Sequence, residues 1–543
     1  MKIAKLMVFC LLLGTGAATF IGCSDDDTTS KVLLRPVTTM KTDLNHVQLS
    51  WKSVEGATEY IVEIYRVTDG ANDLYKTLTT SETSLSVDLE WDDSYKIRVK
   101  SNGNGRESAY WETDAITLSF PTILSQTKTI DTQAIVTWTP SDDVVLTALT
   151  ATPISGEGTE VKEYAISAED YEAGQIRIDG LTPSTTYKIN AYSGNETTLE
   201  NYQGRVMLST TTAEDFNELG SNLVTLDTNT DENYFNTIDW NTLPEGTVFI
   251  LPEGKQFNID GTQALFISHS VTFITPMTLG EYATLILGGA FNIPEGGNVD
   301  KIEFKRINIK ANSELNDQTS NSLSGKQILC PDKNNSLVTN VLFNDCHIEN
   351  FRAIVRSKNP SASIENIKFI NCSINGIGNQ GIISTDGKKG NYVNSLLFDE
   401  CTITNICGIA DLRNDGSGKE INIKNCTFCY APMDNSFLFR VHTNIPINIE
   451  NCMFGVSMKV DGSKPLFNQA GSGGQDDYTN SATIKTSNSF HTSDHTSKKG
   501  NLGTSNAGMN TDDLFSAPGE HNFKLNSSFS GCTTTGASKW RVM

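Results

Sequence analysis

Four short stretches of this chain carry side chains suited to gripping a charged ligand. Residues 353–356, 381–386, 409–413 and 437–442 each join an apolar run to Arg, Asp or His. An extended chain sends alternate side chains to opposite faces, so Arg356, Asp386, Asp411, Arg413, Arg440 and His442 are expected to stand outward on one side. Arginine forks hold a carboxylate through two parallel hydrogen bonds, and aspartates supply the hard oxygen ligands that Ca2+ takes. Such a row suits an acidic polymer whose repeating carboxylates each meet a guanidinium. It also suits elimination on a uronate, which needs a base near the C5 proton while a cation neutralises the carboxylate. Lys358, Arg413 and His442 are the candidate bases. Equally, Arg and Asp on neighbouring strands can pair with one another and only keep a sheet solvated. On the residues alone these readings stay open, as does Ca2+ near Asp386 and Asp411.

What must position these stretches is a repeat. An eight-residue frame (apolar, any, aromatic or Ile, two turn residues, Cys or Ile, any, apolar) begins at Ile302, Val341, Ile367, Leu396, Ile421 and Ile447. It continues through Ile307, Cys346, Cys372, Cys401, Cys426 and Cys452, and the cysteines are 26, 29, 25 and 26 residues apart. Period-2 alternation on both sides of the two-residue break describes two strands meeting at a bend. Steps of this size suit one coil of a parallel β-helix, with like positions stacked roughly 4.8 Å apart. The cysteines are then an inward, reduced ladder. A column cannot converge tetrahedrally on one ion, which argues against metal ligation. The residue before each cysteine is Asp345, Asn371, Glu400, Asn425 or Asn451, and stacked amides at such a bend can bond along the solenoid.

Composition narrows the partners. A net charge of -22 opposes nucleic acid and anionic membrane, so an anionic ligand needs a local basic patch or bridging cations. Lys2 and Lys5 precede the apolar run 6–13, which reads as a secretory signal too short to span a bilayer. The signal ends at Phe20-Ile21-Gly22-Cys23, which resembles a bacterial lipobox despite Phe20 in place of Leu. That resemblance implies cleavage before Cys23 and acylation of its thiol. The alternative is ordinary cleavage near Ala17-Ala18, with Cys23 free. The acidic run 24–27 is similar to the export signal of Bacteroidetes surface lipoproteins, and as plain composition it is a solvated linker. An outer-membrane, surface-exposed location follows from the resemblance.

The architecture expected is all-β. Residues 31–120 and 121–213 are short strands between turn clusters. Trp51 with Tyr95, and Trp138 with the corner Leu181-Thr182-Pro183-Ser184-Thr185-Thr186-Tyr187, resemble the marks of fibronectin type III domains. Trp91 and Trp111 are either sugar-stacking rings or core and edge aromatics. Residues 214–543 form the solenoid, and the bend Asn beside an inward stack resembles the right-handed parallel β-helix of the pectate lyase superfold. Residues 246–254 resemble its opening coil, 214–240 cover that end, and 513–515, 523–525 and 536–540 resemble the last turns of pectate-lyase-like lipoproteins from gut Bacteroidetes. The insertion 313–336 is expected to wall a groove over the charged row. The resemblance implies polysaccharide utilisation. It leads to binding of an acidic, pectin-like plant glycan by a monomer, possible partnership with an outer-membrane glycan transporter, and no cofactor beyond Ca2+. A polysaccharide lyase is the second reading, and a structural or adhesive surface protein is the third. Asp386 and Asp411 alone fall short of the grouped aspartates of a polygalacturonase-type hydrolase.

Overall fold

The computed structural model describes residues 32–542 apart from 69, 262–264, 313–319, 360, 387–391, 414–418, 442–444 and 478–482. Cys23 and His442 lie outside the described residues. The chain divides into two compact units: Met1–Leu124 with Val144–Ala148 and Asn190–Val206, and Ser125–Asp143 with Leu149–Ile189 and Met207–Met543.

Alternation builds the sandwiches. In the first, Thr38–Asp43, His46–Trp51 and Ser84–Asp88 make a three-stranded sheet; Ala71–Thr80, Glu59–Thr68, Asp93–Gly103 and Arg106–Glu107 follow one another in the larger sheet. Every second residue of His46–Trp51 is buried, and Val47, Leu49, Trp51, Tyr60, Val62, Ile64, Tyr95, Ile97 and Val99 fill one core. Trp111 packs against that core and Trp91 lies edge-on to Phe120 at 5.0 Å, so both rings are engaged within the protein. The second sandwich repeats the strand order: Leu124–Thr129, Ala134–Trp138 and Gln175–Ile178, then Lys162–Ala165, Leu146–Ser155, Thr186–Ser193 and Tyr202–Ser209.

The remainder is a parallel β-solenoid with three sheets. The first runs through ten strands from Asn222–Thr225 to Thr483–Ser487, and the second through ten from Gln256–Ile259 to Ser505–Asn506. In the first sheet the six frame starts fall into one column, Ile302, Val341, Ile367, Leu396, Ile421 and Ile447, which extends back to Val271 and on to Ile484. Two residues further along, Phe273, Phe304, Phe343, Phe369 and Phe398 stack with centroids 5.1, 5.2, 4.8 and 4.9 Å apart, one coil spacing per ring. The solenoid's first coils are closed by Phe235 and Trp240, which pack on Phe249 and Phe273.

The bend between the first and second sheets explains its own sequence. Arg306, Asp345, Asn371, Glu400, Asn425, Asn451 and Asn488 all have φ between 42° and 58°. Among residues with a side chain, Asn and Asp tolerate this left-handed conformation best. Their amides also bond along the solenoid: Asn371 donates to Asp345 at 2.9 Å, Asn451 to Asn425 at 3.2 Å and Asn488 to Asn451 at 2.8 Å. At Glu400 the chain of side chains breaks, and Asn425 donates to Asp399 instead, at 3.0 Å. One residue on, Cys346, Cys372, Cys401, Cys426 and Cys452 are free thiols with no exposed surface. Each Sγ donates to the carbonyl two residues back, Cys346 at 3.4 Å and Cys452 at 3.2 Å among them. Burial pushes the thiols of Cys372 and Cys426 well above their usual range.

Two expectations are corrected. Residues 513–540 do not form further turns. Phe515–Ala517 and Asn522–Leu525 pair antiparallel, and the segment crosses the outward side of the second sheet. There the backbone N–H of Ala537 bonds Thr427 Oγ1 at 3.0 Å, and Trp540 Nε1 donates to Thr402 Oγ1 at 2.8 Å. Phe515, Phe523, Leu525, Phe529 and Cys532 join Cys407, Cys429, Met433, Met453 and Met458 in a second core. This cover is why Thr402–Ile406 and Thr427–Cys429 are buried on both faces. Of the insertion 313–336, the described residues 320–336 are likewise not all loop. Leu329 bridges Phe291 and Val355 in parallel, so its last part is that coil's own third strand.

Candidate functional site

The third sheet carries the charged row. Its strands Val355–Arg356, Ile383–Ser384, Ala410–Leu412, Phe437–Val441 and Gln475–Asp477 are short because each coil turns sharply on both sides. Inward positions hold Val355, Ile383, Ala410 and Phe439, all fully buried, and the register stacks Arg356, Ser384, Asp411 and Arg440 in one column. Ser384 is the member that residue types did not reveal. Asp386 and Arg413 sit two residues beyond the column.

The row is paired internally. Arg356 donates through Nη2 to Asp386 at 2.9 Å, and Arg413 Nε donates to Asp411 at 2.6 Å. Arg440 approaches the other Asp411 oxygen at 3.5 Å while lying over the Phe437 ring at 4.0 Å. Asp411, expected to stand in solvent, is a correction: only 7% of its side chain is exposed. Burial lifts its carboxyl above the ordinary carboxylate range, against the pull of Arg413 and Arg440. Asp386 adopts a left-handed turn, φ 56°, and its N–H is fixed by Ser384 Oγ at 3.1 Å. Both carboxylates are therefore engaged by guanidinia, and no group of three or more His, Cys, Asp or Glu suited to a metal occurs among the described residues.

The candidate bases separate. Lys358 is exposed, beside the buried Cys330 thiol, which burial pushes up while Lys358 and Arg356 pull it down. Arg413 commits its Nε to Asp411. A residue overlooked in the sequence joins the row at Arg352, four positions before Arg356. Its Nε donates to Asn379 Oδ1 at 2.9 Å, and among the described residues no carboxylate pairs with it. Its signal was available, since Arg352, Arg356 and Lys358 place three cations within one coil, but the strand frame begins only at Ala353.

The fold and the row define an all-β protein: two fibronectin type III-like sandwiches followed by a parallel β-solenoid with an arginine-rich third sheet. No family model matches the chain, and no curated protein matches it. Among solved structures, the chain is similar to a two-domain fibronectin type III segment of chicken tenascin at 17% identity and a TM-score of 0.16, over 32% of this chain and 99% of that one. It is also similar to the FN1–FN3 domains of chicken CNTN1 at 16% identity and a TM-score of 0.14, over 31% of this chain and 63% of that one.

Proposed function

We propose that the third sheet binds an acidic polysaccharide without cleaving it, and that the protein displays this face at the cell surface from a lipid anchor on Cys23. One observation carries the binding reading. In a chain of net charge -22, the described residues of the row gather Arg352, Arg356, Lys358, Arg413 and Arg440 against Asp386 and Asp411, with Asp476 and Asp477 on the last strand of the sheet. Asp434, close by in sequence, turns its carboxylate to Ser472 and Gly473 instead. A cationic strip across the coils matches a polyuronate in sign, and coils stacked about every 4.8 Å let one extended polymer cross several of them. The likeness of the bend Asn and inward stack to pectate-lyase-like solenoids of Bacteroidetes surface lipoproteins supports a pectin-like polymer. Binding is favoured over elimination because the aspartates are tied to arginines and Arg413 is tied to Asp411.

Affinity electrophoresis in a gel containing polygalacturonate, run beside a 235 nm assay with and without Ca2+, separates the readings. Retardation with no new absorbance is the expected result. New unsaturated product means a lyase, and unretarded migration removes the binding reading. For the anchor, wild type should partition with membranes and be shaved from intact cells by protease. A Cys23→Ala form still held in the membrane fraction would refute the lipid.

A further inference from the structure

Within the proposed row, one coil carries a guanidinium that pairs with no carboxylate among the described residues. Asp411 answers Arg413 and Arg440 together, and Asp386 answers Arg356. Among the described residues the Arg352 side chain hydrogen-bonds only the neutral amide of Asn379, and shares the Asp386 charge with Arg356, although its guanidinium is half-buried. Burial, and then the Arg356 charge, press its ionisation below the ordinary arginine range against the pull of Asp386, as expected where two cations share one carboxylate. Arg356 adds a second deficit, because its Nε is buried without a hydrogen-bond partner. Buried donors of this kind are costly unless something accepts from them.

The surroundings hold the two guanidinia in place. Arg352 N bonds Lys326 O at 2.9 Å and Arg356 N bonds Leu329 O at 3.0 Å, so both backbones are fixed to the preceding coil. Asn379 is fixed in turn. Its N–H donates to Asn321 O at 2.7 Å and its Nδ2 to Asn321 Oδ1 at 3.0 Å. Gly378 permits this approach, since a Cβ there would meet Asn321 O at 2.6 Å and Arg352 Cα at 3.2 Å. The segment around Asn321 thus borders the coil as one side of a preorganised cradle.

We propose that Arg352 and Arg356, with Asn379 orienting the former and Lys358 at the outer rim, form a subsite for one sugar-borne oxyanion, a uronate carboxylate or a sulfate ester. This rests on the glycan-binding reading but locates it: this coil is the specificity-determining point, and the paired arginines further along act on neutral hydroxyls and on polymer alignment. A uronate supplies the missing acceptor for a planar fork.

The test uses the whole protein and calorimetric titration with an oligogalacturonide, its methyl ester, a sulfated galactose oligomer and inorganic sulfate. Arg352→Gln removes the charge. Asn379→Asp keeps Arg352 but supplies an internal carboxylate in place of the ligand's. Wild type is expected to bind at least one anionic probe and not the methyl ester, with both variants roughly tenfold or more weaker at an unchanged melting temperature. The oligogalacturonide and the sulfated oligomer tell the two oxyanions apart. If Arg352→Gln does not fold, Asn379→Asp decides alone. Anion binding at wild-type strength in the folded variants overturns the subsite, and so does failure of wild type to bind any anionic probe. In that last case, retained retardation by polygalacturonate leaves the broader reading standing on other residues, and lost retardation removes both.

Discussion

At the scale of single residues, Asp411 and Glu63 show how the same carboxylate behaves in two settings. Glu63, on the first sandwich, loses solvation by burial. Arg98, Tyr110 and Tyr65, each donating to the carboxylate at 2.7 Å, overcome that loss and bring its carboxyl down to about 2. Arg98 is itself clasped between the Tyr65 and Tyr110 rings, 4.4 and 4.5 Å from their centroids. A folded value below the unfolded one means stability that is present above pH 4.5 and lost as pH falls toward about 2. Glu63→Gln should therefore lower the melting temperature of the transition in which the first sandwich unfolds at neutral pH, with the gap to wild type closing across that acid window. A gap independent of pH would show that packing, not ionisation, is lost. Asp411 is the opposite case, lifted by burial. Asp411→Ala should still destabilise, on the order of 1–3 kcal/mol, because it removes the buried carboxylate that the half-buried Arg440 shares with Arg413. Thermal denaturation checks this, and Arg440→Met added to Asp411→Ala should recover part of the loss.

At the scale of elements, the bend is where sequence and backbone constrain each other most tightly. Asn425 has φ 52°, donates to Asp399, and accepts from Asn451 and, at 3.0 Å, from Arg541 of the C-terminal segment. Asn425→Val should cost about 1–2 kcal/mol for the left-handed backbone alone, plus the lost bonds, whereas Asn425→Gly should recover only the backbone part. Equal losses in denaturation midpoints would contradict that division. In the adjoining ladder, Cys401→Tyr should destabilise by roughly 1–3 kcal/mol or more through overpacking. Native thiol labelling should spare Cys346, Cys372, Cys401, Cys426 and Cys452, and unfolding should expose all five. These features were legible because they obey strict periods: the frame starting at Ile302 recurs often enough to set two sheets and their register. The third sheet was less legible because its strands are too short to show alternation. Ser384 therefore went unnoticed, Arg352 fell outside the frame, and Asp411 gave no sign that its neighbours would bury it. Residues 513–540 were misread because apolar spacing cannot distinguish a strand inside the solenoid from one lying across it; both bury one face, and only the pairing partner differs.

At the scale of the whole molecule, the decisive contrast is between a net charge of -22 and a row with more cations than anions. A polyanion approaching from solution meets the summed field of the protein first and the row only at contact. The repulsive part acts over many ångströms and is screened across roughly 30 Å at 0.01 M salt but 10 Å at 0.1 M. The attractive part, between guanidinia and carboxylates at hydrogen-bond distance, survives until salt competes at close range. The two should separate kinetically: association with de-esterified pectin should quicken as salt rises from about 0.01 to 0.1 M, and affinity should then fall at higher salt as the short-range pairs weaken. Stopped-flow or surface-bound polymer measurements across that range check it. Methyl-esterified pectin, lacking both charge terms, should show neither limb. An association rate that declines from the lowest salt upward would mean that the row's positive potential reaches beyond the rest of the molecule and steers the polymer in. That outcome would place the cationic field at a larger scale than one sheet.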